Sequence, residues 1–236
     1  MQLPSSSVAE IMGAGGFDWV AVDLEHGSFS LDKLPDIFRA LELRGTQPFA
    51  RVAQAECKDI KQALDAGARG VILPMIESAA QLERAIKWAK FPPQGNRGVG
   101  YSRANLYGKR FATYFETVNR DSIVVAQIES IAAIRNLAEI ASVPGLDAFI
   151  IGPYDLSASM GITGQFNHPD FTRAISDYEA VARRMRVPLG LHIVQPDAGL
   201  LEEKIRLGYQ FIAYGIDSVF LYRQATNPHA HANPQQ

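Results

Sequence analysis

Charged and polar side chains in this sequence follow apolar runs at the points where β-strands are predicted to end. In chain order they are Asp23, Glu25, His26, Arg51, Glu129 and Asp155. Apolar strands that carry charge only at their carboxyl ends are typical of a parallel α/β barrel, in which the active site lies on that face. The sequence therefore predicts an enzyme.

Glu129 and Asp155 end consecutive predicted strands, so their side chains can reach one point at the rim of a barrel. Two converging carboxylates share either a proton or a cation. Hard oxygen ligands suit Mg²⁺ or Mn²⁺, and no second histidine or cysteine accompanies the pair on neighbouring strands, which weakens the case for zinc. The alternative is that Asp155 caps a helix and Glu129 pairs with an arginine.

His26 lies three residues after Asp23, at the end of a predicted strand. A histidine oriented by a carboxylate can act as a general acid or base, and Asp23 is the natural orienting partner. A purely structural histidine is the alternative. Glu25 is expected to cap the turn or to pair with an arginine.

Arg51 ends a predicted strand whose other residues are mostly apolar. An unpaired buried guanidinium is costly, so Arg51 either bridges carboxylates or waits for an anionic substrate, and we favour the second. All the lysines fall in predicted helices or loops. This argues against Schiff-base chemistry, which needs a lysine inside the barrel, and favours a metal as the electrophile.

Strands and helices alternate along the chain, and this order predicts a parallel sheet. The predicted strands span residues 17–23, 47–52, 70–74, 122–128, 147–152, 187–193 and 210–214. We therefore predict one α/β domain over residues 1–226, a TIM-type (β/α)₈ barrel whose first strand is truncated. Such an absence would follow from a shortened start, unless the strand count is wrong by one. Residues 227–236 are predicted to be a disordered tail.

The composition excludes several classes of protein. The chain has 236 residues, of which 47% are hydrophobic and 20% are charged, with a formal net charge of −2. Basic residues are scattered, so we expect neither a nucleic acid nor a membrane as a partner. A single cysteine, Cys57, and the lack of a visible signal peptide or bilayer-spanning run predict a cytoplasmic protein.

Several segments together resemble the HpcH/HpaI family, the class II (metal-dependent) pyruvate aldolases. The matching segments are residues 16–26, 49–52, 66–74, 92–100, 127–129 and 152–157. Each is moderately specific, and their shared order is strongly specific. The resemblance covers nearly the whole chain and implies a (β/α)₈ barrel that cleaves or forms a carbon–carbon bond to pyruvate.

The resemblance also implies roles for individual residues. Glu129 and Asp155 would bind the metal, which would be Mg²⁺ or Mn²⁺, with Co²⁺ as an alternative. Arg51 would hold the pyruvate oxygens, and His26, oriented by Asp23, would move protons. Gln127 would line the site, and the backbone around Tyr154 and Asp155 would hold the pyruvate carboxylate. The substrates would be a 2-oxo acid and an aldehyde, and the chain would form a homo-oligomer, a hexamer or trimer of dimers.

Two other functions remain open at this point. One is a lyase of the citrate-lyase-like group that acts on acyl-CoA thioesters or 2-oxo diacids. The other is a non-catalytic barrel that serves as an assembly partner, having lost activity with its first strand. The aldehyde partner itself is not specified by the sequence.

Overall fold

A computed structural model of the chain describes residues 1–225, so the tail 227–236 lies outside the described residues. Its centre is one sheet of parallel strands that follow one another in chain order. The strands are β1 (Trp19–Asp23), β2 (Gln47–Arg51), β3 (Gly70–Leu73), β4 (Ile123–Ile128), β5 (Ala148–Ile151), β6 (Leu189–Ile193) and β7 (Tyr209–Tyr214). These are the predicted strands, with small differences at their ends, so the predicted barrel-type α/β fold is confirmed.

Helices connect successive strands and cover the outer face of the sheet. They are α1 (Ser6–Ala14), α2 (Leu34–Glu42), α3 (Cys57–Ala66), α4 (Ala79–Ala89), α5 (Phe111–Asp121), α6 (Ile131–Arg135), α7 (Leu137–Ala141), α8 (Pro153–Ser159), α9 (Pro169–Met185), α10 (Ala198–Arg206) and α11 (Asp217–Gln224). Ser78 and Asp197 cap α4 and α10 through their side chains. No helix within residues 1–225 is both long and apolar enough to cross a bilayer.

The sheet separates two groups of packed apolar side chains. The larger core lies between the strands and the helices. The smaller one fills the inside of the curved sheet and contains Phe49, Ile72, Val125, Ala148 and Ile150. This inner cluster lies beneath the carboxyl ends of the strands, so polar side chains at those ends lie above an apolar layer.

The barrel is open between β1 and β7, which do not pair with each other in residues 1–225. The rings of Trp19 and Phe211 stack within the barrel, with centroids 4.3 Å apart. Near the rim, Met1 forms two hydrogen bonds with β1: its N–H₃⁺ donates to Ala21 O at 2.7 Å, and its O accepts from Asp23 N at 2.9 Å. The predicted absence of most of the first strand is confirmed for the described residues.

The residues that precede α1 are anchored by Asp217, the first residue of α11. Its carboxylate accepts hydrogen bonds from the backbone N–H groups of Gln2, at 2.7 Å, and Leu3, at 2.9 Å. Asp217 is buried. These bonds hold Gln2 beside the carboxyl end of β1, where its side chain contributes to the site described next.

Candidate active site

A cavity of about 360 Å³ opens at the carboxyl ends of the strands. Its lining includes every predicted site residue except Glu129, namely Asp23, His26, Arg51, Gln127, Tyr154 and Asp155. The rest of the lining is mainly apolar and includes Ile150, Val194, Ile212 and Ala213. Strand order and register therefore bring together residues that are far apart in the chain.

Arg51 is held by two carboxylates of the segment that follows β1. Its Nε and Nη2 donate to Asp23 Oδ1 and Oδ2 at 2.9 and 2.7 Å, and its Nη1 lies 3.1 Å from Glu25 Oε2. The structure shows the predicted alternative in which Arg51 bridges carboxylates, not the one in which it stays unpaired for an anionic substrate. The physical reason is the desolvation of Arg51, because a largely buried guanidinium requires fixed counter-charges. The predicted pairing of Glu25 with an arginine is also present.

Asp23 orients Arg51 instead of the His26 ring. Its Oδ1 accepts from the backbone N–H groups of Glu25 and His26 at 3.1 and 3.2 Å, and its Oδ2 accepts from Gln2 Nε2 at 3.1 Å. Burial by itself would raise the pKa of Asp23, but hydrogen bonds and the charge of Arg51 outweigh it and bring the pKa to about 2. Asp23 is therefore an ionised anchor for Arg51 and the turn.

His26 lies at the mouth of the cavity with its side chain 58% exposed. The ring atom Nε2 is 4.0 Å from Glu25 Oε2, so Glu25 is the carboxylate beside the ring, and only the backbone of His26 bonds to Asp23. The predicted Asp23–His26 side-chain pair is thus not formed, because Arg51 and backbone donors occupy both Asp23 oxygens. An exposed ring next to a carboxylate remains able to exchange protons.

Glu129 lies behind the cavity wall and is buried. Its Oε1 accepts from Met75 N at 2.6 Å, and its Oε2 accepts from the side-chain amide of Gln127. Burial raises the pKa of Glu129, and these two hydrogen bonds only partly oppose the rise. The negative charges of Glu25 and Asp155 raise it further, which is the behaviour of carboxylates that act on each other electrostatically.

Asp155 lies in the first turn of α8, where Gly152 is the N-cap residue and Pro153 begins the helix. The alternative in which Asp155 caps this helix does not apply, because the cap position belongs to Gly152. The Asp155 side chain is exposed to the cavity and has no hydrogen-bond or ion-pair partner among residues 1–225. The neighbouring Tyr154 packs its ring edge-on against Phe166, with centroids 5.0 Å apart.

Glu129 and Asp155 are the two carboxylates predicted to bind a hard divalent cation, and their pairing stays a prediction. One carboxylate is buried and the other is exposed at the cavity, and Gln127 lies beside the first. The described residues contain no group of three or more histidine, cysteine, aspartate or glutamate side chains that could hold an ion. A cation here would therefore keep coordination positions for water and substrate, as Mg²⁺ and Mn²⁺ commonly do.

Three contributors to the site were not foreseen from the sequence. Gln2 donates to Asp23, and Met75 presents its N–H to Glu129 from a left-handed backbone with φ of 55°. His192 on β6 lines the cavity. A signal for His192 did exist, because it is a polar residue within a predicted apolar strand of the barrel.

The fold and the site define a barrel enzyme whose polar groups converge at the carboxyl ends of parallel strands. The family model for HpcH/HpaI aldolase/citrate lyase matches residues 1–224. The chain belongs to the HpcH/HpaI aldolase/citrate lyase family, and the predicted resemblance is confirmed.

Named relatives agree with this membership. The chain is 37% identical over 222 residues to a 2-dehydro-3,6-dideoxy-6-sulfogluconate aldolase from Pseudomonas putida, covering 94% of this chain and 86% of that protein. It is 34% identical over 223 residues to a hydroxypyruvate/pyruvate aldolase from Roseobacter denitrificans, with 94% and 86% covered. A family member from Burkholderia cenocepacia superposes with a TM-score of 0.89 at 33% identity, covering 94% and 88%. The predicted enzyme class, an aldolase-family lyase, is confirmed.

Proposed function

We propose that this chain is a divalent-metal-dependent aldolase that reversibly cleaves 4-hydroxy-2-oxo acids to pyruvate and an aldehyde. The observation that carries the proposal is the shared cavity of Arg51, Asp155 and His26, with Glu129 directly behind it. Enolate chemistry requires fixed charges and a proton carrier. The guanidinium of Arg51 and the two carboxylates supply the charges, and the exposed imidazole of His26 supplies the proton carrier. The aldolase names of the relatives support the same reaction class.

Glu129 and Asp155 would hold Mg²⁺ or Mn²⁺, with Co²⁺ as an alternative. When bound, such an ion supplies electrophilic stabilisation of the negative charge that develops on the C2 oxygen of a 2-oxo acid. Gln127 and the N–H of Met75 keep the Glu129 carboxylate in place by hydrogen bonding to both its oxygens. The N–H groups around Tyr154 and Asp155 are proposed to bind the substrate carboxylate.

Arg51 is proposed to stabilise the enolate oxygen. A guanidinium carries five N–H donors, and the two hydrogen bonds to Asp23 use one on Nε and one on Nη2. The terminal nitrogens keep N–H groups that can bind substrate oxygens, while Nη1 forms an ion pair with Glu25 Oε2 at 3.1 Å. Because Asp23 fixes the plane of the guanidinium, these donors are oriented before the substrate arrives, which makes their stabilisation of the developing charge effective.

His26 is proposed to move the proton of the reacting hydroxyl. In the cleavage direction a base takes the proton from the C4 hydroxyl, the C3–C4 bond breaks, the electron pair of that bond forms the enolate, and C3 then gains a proton. His26 is exposed at the cavity mouth, with the Glu25 carboxylate 4.0 Å from its ring.

The test is pyruvate release from a series of 4-hydroxy-2-oxo acids before and after treatment with EDTA. We expect release to be lost with EDTA and restored by Mg²⁺ or Mn²⁺. Glu129→Gln should lower kcat by about 10²-fold or more, since it removes a charged ligand, while Glu203→Gln on the exposed face of α10 serves as the control. Release that is insensitive to EDTA would contradict the metal, and cleavage of acyl-CoA thioesters alone would favour the citrate-lyase-like alternative. No release from any substrate would favour the non-catalytic barrel.

We further infer that the chain forms a homo-oligomer. Large apolar side chains are exposed between α4 and α5, with Val99 at 51%, Tyr101 at 76% and Leu106 at 44%. The segment is ordered by the buried side chain of Asn105, which bonds to the backbone at both ends of it. Exposed apolar groups on a well-ordered surface suit a second copy of the chain. Light scattering after size exclusion tests this, and a Tyr101→Glu variant should shift the mass towards the monomer.

The cytoplasmic location predicted from the cysteine content is retained as part of this proposal. Cys57 is exposed on α3 and unpaired. A single unpaired thiol supports a reducing compartment.

A further inference from the structure

His192 is a polar group set into the apolar wall of the cavity. It lies on β6 between Leu191, which packs towards the helices, and Ile193. Side chains alternate along a strand, so His192 points to the inside of the barrel, and it shares the cavity with Arg51 and with the apolar Val194 and Ile212. Neither the proposed metal nor the proposed proton transfer uses it.

The hydrogen bond of His192 fixes which ring nitrogen carries the proton. Nε2 lies 3.3 Å from the carbonyl oxygen of Gly215. A carbonyl only accepts, so Nε2 must donate to it. Burial lowers the pKa of His192 from 6.5 to about 4, despite the opposing bond to Gly215, so the ring is neutral near neutral pH. In that tautomer Nδ1 is a hydrogen-bond acceptor, and it has no protein partner among residues 1–225.

A neutral hydrogen-bond acceptor such as Nδ1 favours a ligand group that can donate a hydrogen bond. A hydroxyl can donate to Nδ1, whereas a carboxylate or carbonyl oxygen would meet its lone pair, and a methyl group would leave it without a hydrogen-bond partner. The anionic end of a 2-oxo acid has partners of its own in the cavity, at Arg51 and around Asp155.

We propose that His192 is a specificity-determining residue that accepts a hydrogen bond from an extra hydroxyl of the substrate. The inference rests on the proposed aldolase function and adds a residue that selects among its substrates. The hydroxyl comes either from C3 of the 2-oxo acid fragment, as in hydroxypyruvate, or from C2 of the aldehyde fragment, as in glycolaldehyde. Both sources present the same donor to Nδ1.

The rate experiment compares matched pairs that differ by this hydroxyl. Aldol addition is measured for hydroxypyruvate against pyruvate, and for glycolaldehyde against acetaldehyde. On one of the two arms the wild-type enzyme should favour the hydroxylated partner in kcat/KM, and His192→Leu should reduce that preference about tenfold, the effect of one hydrogen bond. His192→Asn keeps a polar group and should retain part of the preference. Val194→Leu alters the same wall without a polar change and should shift both members of each pair alike.

A binding measurement separates failure of this inference from failure of the proposed function. Calorimetric titration with pyruvate and hydroxypyruvate in the presence of Mg²⁺ requires no turnover. If the wild type shows no aldol activity, the proposed function fails. The role of His192 is then tested by binding alone: hydroxypyruvate should bind the wild type more tightly than pyruvate does, and His192→Leu should abolish that difference in affinity. Equal handling of hydroxylated and plain partners by the wild type, or equal losses for both in His192→Leu, would overturn the assignment.

Discussion

Asp23 and Arg51 occupy the same position in neighbouring strands, because the parallel ladder of β1 and β2 pairs them directly. Their side chains meet in two hydrogen bonds of 2.9 and 2.7 Å. The register of the sheet therefore orients the guanidinium that faces the cavity. A charged group placed this way does not need to reorganise when a substrate binds, which is the property expected of a preorganised anion-stabilising donor.

The first prediction concerns stability. Asp23→Asn removes one partner of a largely buried ion pair and leaves the Arg51 charge with Glu25 alone. We expect a loss of about 3 kcal/mol in the free energy of unfolding, measured by urea denaturation near neutral pH. Asp177→Asn, on the exposed face of α9, should change it by less than about 0.5 kcal/mol. Equal effects of the two variants would contradict a structural role for the pair.

The second prediction separates charge from geometry at Arg51. Lysine keeps the positive charge but cannot bond to both oxygens of Asp23 while also donating into the cavity. Arg51→Lys should therefore lower kcat for pyruvate release by about 10²–10³-fold at saturating metal. Arg184→Lys on α9, where the side chain is exposed, is the matched control. Wild-type turnover in Arg51→Lys would exclude Arg51 from transition-state stabilisation.

The residue types at the strand ends were readable from the sequence, but their pairing was not. Asp23 has two candidate partners, His26 three residues later and Arg51 at a separation of 28 residues. Proximity along the chain favours His26. The strand register places Arg51 opposite, and a buried guanidinium gains more from an ionised carboxylate than an exposed imidazole does. Only the assembled sheet decides between them.

Other parts of the site depend on local irregularities that no periodic pattern encodes. Met75 reaches Glu129 from a left-handed backbone, a conformation with no signature in its residue type. His192 follows a register irregularity between Leu189 and Gly190 in the β6–β7 ladder. The extra residue, Gln210, lies on β7, so the irregularity decides which β7 residues flank His192, and no periodic pattern in the sequence encodes that choice.

The third prediction is a pH dependence of stability that belongs to His192. Its pKa is about 4 in the folded chain, against 6.5 for an unperturbed histidine. Between about pH 4 and pH 6.5 the unfolded chain therefore binds the proton more readily than the folded chain does. The stabilisation is present above about pH 6.5 and is lost as the pH falls towards 4, by an amount on the order of 2–3 kcal/mol. Urea unfolding at about pH 7 and about pH 5 should show a smaller decline in His192→Leu than in the wild type. Parallel declines would show that His192 titrates normally.

The fourth prediction tests the space beside Glu129. A Cβ added at Gly152 would lie 3.1 Å from Glu129 Oε2 and 3.2 Å from Glu129 Cβ, so the carboxylate must shift by a few tenths of an ångström. Gly152 has φ of −95°, which alanine adopts without strain, so folding should be little affected. Gly152→Ala should therefore weaken Mg²⁺ affinity or lower activity about 10–100-fold while the free energy of unfolding changes by less than about 1 kcal/mol.

The matched control for Gly152→Ala is Gly100→Ala, because a Cβ at residue 100 would meet nothing within 4 Å. Titration of Mg²⁺ followed by calorimetry, together with pyruvate release, measures the loss in both variants. If Glu129 is a ligand of the ion, its displacement should cost much activity. If Glu129 is held only by neutral hydrogen-bond donors, the same displacement should cost little activity. A large activity loss without unfolding therefore assigns Glu129 to the ion. If Gly152→Ala binds Mg²⁺ and turns over like Gly100→Ala, the position of Glu129 does not matter for the chemistry and the proposed ligand pair is wrong.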